Sequence, residues 1–152
     1  MRTFGKSLAA LGLAVAGLVA PAASAQAAGT GATGNCDSVW PGRNGNVYAY
    51  DQTHCSGYLG GTPGDDADWN AAGGGFTNAA NRASSVMNAG YTGSYAIVAF
   101  YYYAGYGGGY SCLSPYEYYV DDLSRNTFSN GRNMNDNIVS HKWVNTCDRW
   151  MS

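Results

Sequence analysis

Two stretches of this chain, fifty-one residues apart, repeat one spacing of aromatic and glycine: Tyr50-(x4)-Cys55-x-Gly57 and Tyr101-(x4)-Tyr106-x-Gly108. Each is followed by an Asn-rich echo, Asn81-Arg82-Ala83-Ser84-Ser85 after the first and Asp136-Asn137-Ile138-Val139-Ser140 after the second. A repeat of about fifty residues is one supersecondary unit, too small to bury a sheet face alone, so two copies must share one core. Motif one then covers about residues 36–90 and motif two about 91–152 of a single domain.

The spacing has a physical reading. An aromatic on one strand with glycine seven residues on permits a folded-over hairpin, the glycine taking a positive φ at the fold beneath the ring. Ser85 and Ser140 are placed to hydrogen-bond the folded turn. Elsewhere the sequence is rich in Gly, Tyr, Asn and Ser and shows no 3.6-residue apolar period, which disfavours helix. Strands are expected at Val47–Tyr50, Ala83–Asn88, Ala96–Tyr103, Tyr110–Leu113, Tyr116–Val120 and Ile138–Val144. Turn-prone segments such as Pro63-Gly64-Asp65-Asp66 and Ser129-Asn130-Gly131 separate them. The class is all-β.

The start of the chain reads as an address. Arg2 and Lys6 precede an apolar run from Leu8 to Ala20, and Ala23-Ser24-Ala25 and Ala25-Gln26-Ala27 offer cleavage sites. The run is too short to span a bilayer, so residues 1–27 are expected to be a signal peptide, 28–35 a flexible leader and the product secreted. Loss of Arg2 and Lys6 leaves six basic residues against ten acidic, a formal charge of −4. Nucleic acid is a poor partner for so sparse a basic surface, and no second stretch is long enough for a membrane. Cys36, Cys55, Cys112 and Cys147 all lie beyond the signal, and an even count in an exported chain points to disulfides. No C-x-x-C occurs and His54 and His141 are isolated, so zinc spacing is missing.

Aromatic-x4-aromatic-x-Gly with a distal Ser resembles the Greek-key motif of the βγ-crystallins, implying a double Greek-key sandwich; the second copy matches fully and the first carries Cys55 in place of an aromatic. With the signal and four cysteines, the chain resembles the secreted actinobacterial proteins of peptidase inhibitor family I36. The likeness rests on Tyr50-Asp51-Gln52-Thr53-His54-Cys55-Ser56-Gly57, Asn81-Arg82-Ala83-Ser84-Ser85-Val86 and Asn135-Asp136-Asn137-Ile138-Val139-Ser140-His141-Lys142-Trp143, and covers roughly residues 36–147. It implies a monomeric inhibitor of an extracellular thermolysin-like metalloprotease, with no enzymatic activity of its own. The family's reactive bond joins a Cys to a bulky apolar residue, which here falls on Cys112–Leu113, beside Ser114-Pro115-Tyr116.

Many microbial βγ-crystallins bind calcium through paired (N/D)(N/D)-x-x-(S/T)-S segments. The copies here, Ala80 to Ser85 and Asn135 to Ser140, are imperfect: the first lacks its first oxygen ligand and Val139 replaces a hydroxyl in the second. Asn81, Ser84, Asn135 and Asp136 remain as a weak or absent calcium site, and no other cofactor is expected. The repeat also implies locally closed halves, so the expected bridges are Cys36–Cys55 and Cys112–Cys147.

Catalytic patterns are missing. No G-x-S-x-G or H-E-x-x-H occurs, and His54 and His141 read as a turn histidine and a sheet histidine. Asp65-Asp66-x-Asp68 and Asp121-Asp122 read as solvated turns. Tyrosines at 101–103, 106, 110, 116, 118 and 119 could form a sugar-stacking or protein-binding face, although strand alternation assigns Phe100 and Tyr102 to one side and Tyr101 and Tyr103 to the other, one pair being core. The alternative to an inhibitor is a binding module of the same fold, taking calcium weakly or touching a cell surface.

Overall fold

The computed structural model describes residues 36–152, so the expected signal peptide and leader lie outside the described residues. A short helix, α1 (Cys36–Val39), precedes β1 (Asn46–Gln52), β2 (Ser56–Thr62), β3 (Ser85–Ala89), β4 (Ile97–Tyr103), β5 (Gly107–Leu113), β6 (Tyr119–Val120) and β7 (Ser140–Val144), with a 3₁₀ turn at Leu123–Arg125. One sheet has the order β2-β1-β3-β6 and the other β5-β4-β7. Every pairing within them is antiparallel.

Register carries the internal repeat into three dimensions. Tyr50 of β1 lies opposite Ser85 of β3, and Tyr101 of β4 lies opposite Ser140 of β7. Each hairpin has an irregularity next to its motif tyrosine, before Tyr50 (between Ala49 and Tyr50) in one and after Tyr101 (between Tyr101 and Tyr103) in the other. The halves also exchange a strand. β6, from the second half, pairs with β3 of the first, while Asp66, from the first, bridges to His141 of β7. This is a double Greek-key sandwich of the βγ-crystallin type.

The core lies between the sheets. Val47, Ala49 and Val86 from one and Val98, Phe100 and Leu113 from the other belong to one buried cluster, with Trp69, Phe76, Phe128 and Ile138 from the connections. Trp69 stacks on Phe76 with centroids 4.3 Å apart, and Phe100 meets Trp69 edge-on at 6.2 Å. A smaller cluster of Cys36, Tyr50, Cys55 and Met87 lies on the first half. The disulfides are Cys36–Cys55 and Cys112–Cys147, one within each half, the pairs the repeat implies. They accord with an oxidising, extracellular setting. No helix among the described residues is long and apolar enough to cross a membrane.

Several expected boundaries move. β2 was not expected, because Gly57, Gly60 and Gly61 interrupt any alternation; the Tyr48 ring lies where a side chain at Gly61 would go. β3 and β7 begin at the serine rather than at Ala83 and Ile138. Asn81 and Asp136 take positive φ, and their N–H groups donate across the molecule to Ile138 O and Ala83 O, both at 2.9 Å. The strand expected from Tyr116 starts only at Tyr119, because residues 116–118 are exposed in a loop.

Candidate functional site

Both folded hairpins close in one way. Cys55 N–H donates to Ser85 Oγ at 3.0 Å while Ser85 donates to Gln52 O at 2.6 Å. In the second half Tyr106 N–H donates to Ser140 Oγ at 3.2 Å and Ser140 donates to Tyr103 O at 2.7 Å. Gly57 and Gly108 have φ of +71° and +88°, which favour glycine. The ring over Gly108 is Tyr103, whose Cδ2 lies 2.7 Å from where a Cβ would stand. Tyr101 instead meets Tyr106 and Tyr110, with centroids 5.7 and 6.0 Å away. Tyr50 is buried, and burial followed by the nearby Tyr48 and Tyr58 raises its pKa to about 12. These residues are scaffold.

Of the four residues with calcium-type spacing, Ser84, Asn135 and Asp136 are linked, Ser84 from the first half and the other two from the second. Ser84 Oγ lies 3.4 Å from Asp136 Oδ1, and Asn135 Nδ2 donates to Asp136 Oδ2 at 2.7 Å. Asn81 occupies the matching turn of the first half, for which the repeat supplies Val139 in place of Ser84, and an alkyl group ligates nothing. One carboxylate, already accepting two hydrogen bonds, falls short of the six to eight oxygens calcium takes, about the usual count. Among the described residues no group of three or more His, Cys, Asp or Glu is arranged to hold a metal. The Ser84–Asp136 hydrogen bond ties one half to the other, and Asn135 steadies the Asp136 carboxylate.

His141 is fully buried: Trp69 Nε1 donates to its Nδ1 at 2.8 Å, and its Nε2 lies 3.0 Å from Gly64 O. An accepting Nδ1 puts the proton on Nε2, which donates to Gly64, and both ring nitrogens are occupied. Burial holds the pKa down at about 4. His54 is on a turn, 3.7 Å from Asp121. Among the described residues no hydroxyl or thiol is hydrogen-bonded to either histidine ring.

The acidic turns do more than face water. Asp66 is buried and spends its two oxygens on Asp68 N–H and Phe76 N–H at 3.1 and 3.0 Å. Asp65 accepts from Trp143 N–H at 2.8 Å, fixing the loop to β7. Asp121 pairs with Arg125, and Asp122 caps the 3₁₀ turn by accepting from Ser124 N–H at 2.9 Å, which lowers its pKa. The solvated-turn expectation therefore fails for Asp66: two backbone donors near one bend need acceptors, and its short carboxylate supplies them.

Cys112 and Leu113 do not form an accessible bond. Both are buried in β5, at 1% and 0% exposure, and Cys112 N–H and C=O bond Arg149 and Met151 of the C-terminal segment. A bond held inside a ladder cannot enter a protease cleft. The chain becomes accessible three residues later. Pro115 is buried, Tyr116 is 80% exposed, and Glu117 and Tyr118 are exposed. Ser114 Oγ accepts from Tyr116 N–H at 3.1 Å and Asn88 N–H donates to Tyr118 O at 2.7 Å. Arg43 donates to Pro115 O and lies 4.9 Å above the Tyr118 ring, which is 4.9 Å from Trp40. The disulfide at Cys112 fixes the approach. The result is a short loop tied at both ends with one aromatic ring at its tip.

Of the remaining tyrosines, Tyr102 packs against the core and on Phe128 at 5.6 Å, joining Phe100 as the core pair. Tyr103 faces solvent. The sequence did not single out Tyr91, Tyr95 or Trp150, each about half exposed or more; no periodicity marks them, and the only signal, for Tyr91 and Tyr95, was their setting among Gly, Ser and Thr.

No family model matches the chain, and no curated protein does. It is similar to a solved domain from work on the evolution of the eye lens βγ-crystallin domain fold, at 24% identity over 70% of this chain and 91% of that one, with a TM-score of 0.48. A βγ-crystallin from Ciona intestinalis gives 15% identity, 65% and 99% coverage and 0.46. One from an archaeon gives 23%, 65% and 96%, and 0.47.

Proposed function

We propose that this chain is an exported inhibitor of an extracellular thermolysin-like metalloprotease, of the kind gathered in peptidase inhibitor family I36, and that it binds through the loop Ser114–Tyr118. The observation that carries the reading is the exposed Tyr116 ring on a loop tied down by Arg43, Asn88, Ser114 and the nearby disulfide. A preordered loop loses little entropy when it enters a cleft, so more of its contact energy becomes affinity. Proteases of this class favour a bulky apolar residue just after the cleaved bond, and the Tyr116 ring is the group this loop offers to such a subsite. The signal at 1–27 and the leader at 28–35 serve delivery, and the domain at 36–152 does the binding.

Purified mature protein is expected to slow a thermolysin-like enzyme at micromolar concentration or below. Tyr116→Gly removes the tip while leaving the bracing bonds, and should weaken inhibition by about tenfold or more. Folded protein that slows none of several metalloproteases refutes the reading.

A further inference from the structure

We propose a second binding site, for neutral β-1,4-linked oligosaccharides, on the face built around the connection between the two halves. It does not rest on the protease-inhibitor reading. Two cavities of about 270 and 420 Å³ lie side by side along residues 90–97. The first is walled by Tyr91, Tyr95 and Trp143, the second by Tyr116, Trp150 and Asn145. Trp143 lines the first and Asn145, two residues on, lines the second.

Three observations identify the occupant. None of the fifteen lining residues carries a formal charge at neutral pH. An anion, a cation or a charged peptide would find no partner there, whereas an uncharged ligand gives up little. The rings are also open to solvent: Tyr91 and Tyr95 are 66% and 63% exposed and Trp150 is 48% exposed. Flat aromatic faces beside Ser94, Ser114 and Asn145 match a pyranose chain, which offers C–H faces for stacking and hydroxyls at its edges.

The third observation is the cost of displaying Tyr95. Its φ is +54°, a conformation that a bulky side chain rarely adopts, and Asn145 Oδ1 holds it there by accepting its N–H at 2.5 Å. The ring gains no burial in return. Backbone strain that supports no packing in the free protein is found where a residue is held ready for a ligand.

Titration of the mature protein with cellohexaose, and separately with the β-1,4-linked hexamer of N-acetylglucosamine, tests the proposal through the fluorescence of Trp143 and Trp150. Saturable binding of at least one is expected. Tyr91→Ala and Tyr95→Gly should each weaken it by about tenfold or more. Tyr95→Gly should leave the melting temperature unchanged or higher, since glycine takes the positive φ freely. Both variants should still inhibit a protease that the parent inhibits, and absence of inhibition by the parent has no bearing on sugar binding. No saturable response to either hexamer overturns the proposal, as does binding that survives both substitutions. A face that captures a protein but neither sugar also overturns it.

Discussion

His141 is the residue whose chemistry is most tightly bound to the fold. Its neutral form accepts from Trp69 and donates to Gly64, and protonation would set two donors against each other at Nδ1. With a folded pKa of about 4 against 6.5 for the free side chain, the unfolded chain binds more protons between those values. Stability from this group is complete above pH 6.5, falls as pH drops toward 4 and then stops changing. The loss is on the order of 3 kcal/mol. Urea melts at pH 7 and pH 4 should show that fall, and His141→Gln should flatten it. The reciprocal serines are the other decisive residues. Ser140→Ala removes a donor to Tyr103 O and an acceptor for Tyr106 N–H together, at about 1–3 kcal/mol, which chemical denaturation would measure. Both serines were legible as structural from their spacing alone. The role of His141 was legible only as strand membership, because its partners Trp69 and Gly64 come from a connection more than seventy residues away.

At the scale of elements, spacing revealed what is local and missed what depends on a partner. β1 and β4 were readable from aromatic and β-branched residues. β2 was hidden because its glycines are set by neighbours above the sheet, and the four-residue α1 is too short for any period to register. Placing the reactive bond at Cys112–Leu113 failed because burial of β5 comes from the C-terminal segment pairing alongside it, a contact that no spacing within the motif encodes. The departure of Cys55 from the repeat also acquires a reason. Cys55 and Tyr106 share the same left-handed backbone, with φ of 56° and 61°, and where Tyr106 uses its ring to meet Tyr101, Cys55 reaches Cys36 and buries Tyr50. A bridge closing a 19-residue separation stabilises by about 3 kcal/mol in the chain-entropy account. Removing it as Cys36→Ala with Cys55→Ala should lower the melting temperature sharply. Cys36→Ala with Cys55→Tyr should recover part of that loss, because a ring at this position is what the second hairpin uses. Equal melting of the two double variants would show that the hairpins are not equivalent.

The molecule as a whole is more than two stapled units. β6 completes the sheet of the first half, Asp66 extends that of the second, and paired bonds between Asn81, Ile138, Ala83 and Asp136 tie the turns together. Residues 36–90 alone should therefore give the circular dichroism of an unfolded chain, and mixing with 91–152 should restore a β spectrum. Against this rigid frame the loop 114–118 is displayed with its ends fixed, and the connection at residues 90–97 presents an aromatic face that adjoins it at Tyr116. The most direct test of the inhibitor reading is amide hydrogen exchange of the mature protein with and without a thermolysin-like metalloprotease. The account predicts slowed exchange at Tyr116 and Glu117 in the complex, with Tyr91 to Tyr95 unchanged. A complex that leaves Tyr116 and Glu117 exchanging as in the free protein, or no complex at all, would contradict it.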